Sequence, residues 1–139
     1  IFREATSKSN LKVNVESLKN GAIPAVLLLS EESRRFREMA KTFGRNFNPD
    51  MFPNEETLVL NLNNPLITSI IRLYGDDNRK KDAILAASFI YDLAVLNQRQ
   101  LDPDNMVKFI EKCNDILCRF TDAKESCGKT GNPEPEAKQ

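Results

Sequence analysis

The stretch Glu55-Glu56-Thr57-Leu58-Val59-Leu60-Asn61-Leu62-Asn63-Asn64-Pro65-Leu66 changes its hydrophobic period half-way along. Leu58, Leu60 and Leu62 alternate with their neighbours, the period of a strand with two unlike faces. Asn64-Pro65 then sets a helix start: a capping side chain followed by proline at the first helical position, where its missing N–H is not needed. Leu66, Ile67, Ile70, Ile71 and Tyr74 follow as an apolar stripe at helical spacing, and Gly75 stops it. This strand and helix belong to a β-β-α-loop-β-α-α-α order, a small sheet with a helical C-terminal half, which points to an α+β domain.

Upstream, Leu11, Val13 and Val15 alternate with polar residues and predict a first strand. Asn20-Gly21 is a favoured hairpin pair. The unbroken apolar run Ile23–Leu29 predicts a central strand covered on both faces, with Pro24 at its start or at an unpaired position. Ser30 is a good N-cap, and Glu31 and Glu32 suit the positive end of a helix. Phe36, Met39, Ala40 and Phe43 then share one helical face, and Gly44 ends the run. Residues 45–56, with Pro49 and Pro53, read as a loop that also holds Phe47, Met51 and Phe52.

Downstream, Asp76-Asp77-Asn78 is placed to cap a helix reaching about Asn97, apolar nearly all round between Ala83 and Tyr91. A helix apolar on several faces needs cover on several faces. Asp102-Pro103 opens a last helix, in which Met106, Ile110, Cys113, Leu117 and Phe120 step by four, three, four, three. Val107, Phe109 and Ile116 widen that seam. The whole predicts a small three-stranded sheet with helices. Residues 1–10 read as the end of an upstream helix or a linker, 11–121 as one domain, and 122–139 as a disordered polar tail.

Composition bounds the function. The 139 residues suit one domain, with 40% hydrophobic and 29% charged residues. Twenty Lys+Arg balance twenty Asp+Glu, without the basic excess of a nucleic-acid binder. No apolar run approaches the roughly 20 residues of a membrane span. The chain has no histidine, the commonest general base and metal ligand. Ser30 and Ser33 thus have no histidine to activate them, and no Gly-rich phosphate loop is present. The pairs Glu31-Glu32, Glu55-Glu56 and Asp76-Asp77 read as dipole partners or solvated surface. Cys113 reads as a core thiol. Cys113, Cys118 and Cys127, odd in number and without C-x-x-C spacing, read as reduced. No catalytic, metal or cofactor residue is expected. The chain begins at Ile1 and reads as a piece of a longer protein or as a processed one.

Two features stand out. The last two helices carry surplus apolar surface, which either pairs with a second copy into a four-helix bundle or folds back onto the sheet. The candidate interface is Phe89, Ile90, Leu93, Leu96, Met106, Phe109, Ile110, Cys113, Ile116, Leu117 and Phe120. The second feature is Phe36, Met39 and Phe43 with Phe47, Met51 and Phe52: either an adaptable binding surface or a helix packed on its own sheet.

The segment Ile23-Pro24-Ala25-Val26-Leu27-Leu28-Leu29-Ser30-Glu31-Glu32-Ser33-Arg34-Arg35, followed by Met39-Ala40-Lys41-Thr42-Phe43, resembles the C-terminal domain of the heat shock protein 90 chaperones, above all the bacterial form, high-temperature protein G. Glu55–Leu66 and Leu101-Asp102-Pro103 fit that resemblance in order and spacing, over about residues 11–120. It implies a constitutive dimer through an intersubunit four-helix bundle of the last two helices. It also implies a client-contacting helix with Met39 and Phe43 at its apolar positions; Thr42 departs from the apolar residue a bacterial relative carries. The family's ATP and Mg site lies in an N-terminal domain that this sequence does not include. The ending Glu134-Pro135-Glu136-Ala137-Lys138-Gln139 lacks the Met-Glu-Glu-Val-Asp peptide of eukaryotic members, so no co-chaperone docking there is implied. The implied setting is the bacterial cytoplasm, with unfolded or partly folded clients as partners, and neither nucleic acid nor membrane. A free-standing helical adaptor that dimerises without clients is the alternative.

Overall fold

The computed structural model describes residues 1–43 and 55–121. The elements run α1 (Phe2–Thr6), β1 (Lys12–Glu16), β2 (Ala25–Leu29), α2 (Glu31–Phe43), β3 (Glu56–Asn61), α3 (Pro65–Tyr74), α4 (Lys80–Gln98) and α5 (Pro103–Phe120). The fold is α+β with a three-stranded sheet. The chain divides into two compact units, Ile1–Leu101 and Asp102–Gln139; α5 is the described part of the second. No helix among the described residues is long and apolar enough to cross a membrane.

The sheet order is β1-β3-β2, with β1 parallel and β2 antiparallel to β3. This corrects two expectations. β2 is an edge strand, and Leu28 on it is exposed. Asn20-Gly21 makes a turn, but the strands it separates are not partners. The Asn20 side chain accepts from the Ala22 amide at 3.0 Å, a local Asx turn that needs no hairpin. Pro24 does stand just before β2, where its carbonyl accepts from the Asn61 amide at 2.9 Å.

Register fixes which side chains share a face. Leu58 pairs with Val13 and Leu27, and Leu60 with Val15 and Ala25. Leu27 and Leu58 are fully buried, and α4 packs on β2. The inner side of α4 presents Ala83, Ala87, Ile90, Tyr91, Ala94 and Val95, all buried. Its small residues let neighbouring elements lie close. Phe2 of α1 and Ile67 and Ile70 of α3 complete this core.

The starts of α2, α3 and α5 follow local chemistry. Asn64 accepts from the Leu66 amide at 2.9 Å, and Asp102 from the Asn105 amide at 2.9 Å, each with proline next. The start of α4 differs from expectation: its N-cap is Arg79, without a side-chain cap bond, and Asp76 instead bonds the Asn78 amide in the preceding turn. The cysteines also differ. Cys118 is disulfide-bonded, while Cys113 is a free thiol. An odd count forbids complete pairing, not a single bond, so the inference of three reduced thiols does not hold. Cys127, the loop residues 44–54 and the tail 122–139 lie outside the described residues.

At the far end of β3, Asn61 is fully buried and organises the segment before β2. Its amide nitrogen donates to the carbonyls of Asn20 (2.9 Å) and Ile23 (2.8 Å), while its oxygen accepts from the amides of Leu18 and Asn63, both at 3.0 Å. All four bonds are made. Asn61→Asp keeps the shape but puts a carboxylate oxygen against two carbonyl oxygens. The expected loss is about 2–3 kcal/mol, read as a lower urea midpoint at unchanged slope; an unchanged midpoint would contradict the assignment.

Candidate functional site

α2 leaves the sheet at Ser30. The Ser30 hydroxyl oxygen accepts from the Ser33 amide at 3.1 Å, as the expected N-cap, and its hydroxyl donates to the Ser33 oxygen at 2.9 Å. Ser33 also accepts from the Glu55 amide at 3.2 Å, which ties the helix start to the residue before β3. Ser33 is the only buried residue of α2. On the neighbouring face, Phe36 is half-buried, Met39 is exposed, and Phe43 is 68% exposed. Steps of three and four place these three in one row. Phe47, Met51 and Phe52, expected to extend that row, lie outside the described residues.

α5 has eighteen residues and none is buried. Met106, Phe109, Cys113 and Ile116 are half-buried. Ile110 and Leu117 are exposed on the same stripe, and Phe120 is 84% exposed. Val107 is exposed as well. In α4, Phe89 and Leu96 are half-buried and Leu93 is exposed, forming a second apolar row beside the core-facing one. Ile90, expected on the interface, belongs instead to this chain's own core at 4% exposure. One helical step separates Phe89 from Ile90, and that rotation carries Ile90 to the Ala83–Ala87 side.

No protein-family model matches the chain, and no curated protein matches it either.

One cluster was not legible as such in the sequence. Glu56, read there as solvated, is 5% exposed. Its Oε2 accepts from Lys8 Nζ at 3.1 Å and from the Tyr91 hydroxyl at 2.8 Å. Its Oε1 accepts from Arg37 at 3.1 Å and from Arg99 at 3.4 Å. Lys8 also donates to the Tyr91 oxygen at 2.6 Å. The signal was present: Glu56 continues the Leu58–Leu60 alternation backwards by one step, so period two already places it on the inner face.

Burial alone would raise the Glu56 pKa. The hydrogen bonds from Tyr91 and Lys8, the Lys8 charge and the Arg37 hydrogen bond outweigh it and hold the carboxyl below the usual glutamate value. For Lys8, burial pulls downward, but the Tyr91 and Glu56 contacts raise it overall. A carboxyl with a lowered folded pKa adds stability that is present above its unfolded value and is lost as pH falls through the folded one. Glu56→Gln is therefore expected to destabilise the domain at neutral pH. The gap between wild type and variant should close as pH falls below the ordinary value of 4.5. Urea unfolding of both proteins across that range checks it; a gap independent of pH would contradict it.

Proposed function

We propose that this chain is the homodimerising, client-contacting domain of an ATP-dependent chaperone of the heat shock protein 90 type, with no catalytic activity of its own. The observation that carries the reading is α5: a broad apolar stripe on a helix with no buried side chain. Apolar surface of this kind marks an interaction site. A second copy offers the same stripe, and a two-fold axis lets each stripe cover the other. The second apolar row of α4, with Phe89, Leu93 and Leu96, supplies the other half of a four-helix bundle in this reading. Such an interface is expected to bury about 1,600 Å² in total and to be mostly apolar.

In this reading the domain is the fixed end of a clamp. It holds two ATP-driven arms at high effective concentration, so that their closure is intramolecular. ATP and Mg belong to the arms. The partners are a second copy and unfolded or partly folded proteins, rather than nucleic acid or membrane. The cytoplasmic setting rests on the family resemblance alone, because Cys118 is disulfide-bonded.

α2 supplies the client contact. Met39 and Phe43 are large, apolar and exposed, and methionine adapts to unrelated partners. Met39→Asp and Phe43→Asp should each weaken binding of a reduced, alkylated, permanently unfolded polypeptide about tenfold or more. Because both residues are exposed, the melting temperature should stay within a few degrees of wild type. Fluorescence anisotropy and thermal melts measure the two effects. Wild-type affinity in both variants would support the adaptor alternative instead.

A further inference from the structure

The cluster at Glu56 sets one carboxylate against three cations, and each cation comes from a different part of the fold. Lys8 follows α1, Arg37 lies in α2, and Arg99 follows α4. Arg37 stands one turn beyond Ser33, the only buried residue of α2, so the ion pair fastens the helix just before its exposed residues Met39 and Phe43 begin.

Breaking a buried ion pair is costly chiefly because it strands one charge without a partner. Here that stranding is avoided. When Arg37 leaves, Glu56 keeps Lys8 and Arg99 as counter-charges and the Tyr91 hydroxyl as a donor. Arg37 is 21% exposed, so its guanidinium can pass directly into water. The redundancy that keeps Glu56 satisfied therefore makes the α2 contact separable from the rest of the cluster.

We propose that the Arg37–Glu56 pair is a latch: closed, it holds α2 against the head of β3, and open, it frees the outer part of α2 while the sheet and α4 stay folded. Arg37 is then a positioning residue for Met39 and Phe43. The consequence for client binding rests on reading α2 as the client surface; the latch itself does not.

Hydrogen exchange on the full chain tests it. Arg37→Ala should speed exchange of the α2 amides roughly tenfold, with β3 and α4 unchanged. Arg37→Lys should restore part of the protection, since it keeps the charge. Arg99→Ala removes a cation from the same carboxylate without touching α2, and should leave α2 exchange at the wild-type rate. Unchanged α2 exchange in Arg37→Ala overturns the latch. So does faster exchange spread evenly over α2, β3 and α4, or an equal effect of Arg99→Ala on α2. Binding of the unfolded polypeptide is read separately. If α2 loosens as described and neither wild type nor Arg37→Ala binds polypeptide, the latch stands and the client reading fails.

Discussion

Both ends of β3 carry a buried polar side chain, and the segments around the sheet are fastened to those two points. At the head, the Glu56 carboxylate gathers Lys8, Arg37, Tyr91 and Arg99. At the foot, Asn61 gathers the backbone of residues 18–23. Such groups are costly to bury unless every bond is made, and among the described residues no buried side-chain polar atom lacks a partner. Leu58 and Leu60 supply the apolar attraction between these ends, but they do not say which loop lies where. The polar ends do that, because a hydrogen bond accepts few geometries and an apolar contact accepts many.

A three-stranded sheet offers little surface. One face meets α4, and α1 and α3 pack on α4 as well. That arrangement uses the inner row of α4 and leaves its second row half-buried or exposed. α5 buries none of its side chains. α2 is attached through Ser33 and Arg37 and leaves Met39 and Phe43 exposed. The proposed function follows from this shortage of cover. The surface that the small sheet cannot occupy is assigned to a second copy at α4 and α5, and to unfolded polypeptide at α2.

The helices were legible because their signals are local. A cap bonds two or three residues ahead, as Asn64 and Asp102 do, and an apolar stripe repeats within one turn. Strand order was not legible. Asn20-Gly21 suits a hairpin, yet the backbone there is held by Asn61, about forty residues away in sequence. No local pattern records that bond. The Ile23–Leu29 run reads as a central strand by hydrophobicity, but centrality is a matter of pairing, and β3 takes the place between the other two. At Glu56 two signals conflict: a carboxylate suggests solvent, whereas period two places it on the inner face, where it is buried. The rows on α2 and α5 were legible as stripes, whereas Ile90 shows that a stripe on a two-faced helix does not reveal which face the chain uses itself.

The central claim is that the apolar stripe of α5, none of whose residues is buried, belongs to a second copy. Sedimentation equilibrium tests it most directly, at about 20 µM and in reductant so that no intermolecular disulfide contributes. The account predicts a wild-type mass of twice the 15.8 kDa chain, and a Leu117→Glu variant at the single-chain mass, because the substitution puts an unpaired charge in the seam. A wild-type chain that sediments at 15.8 kDa under those conditions would contradict it.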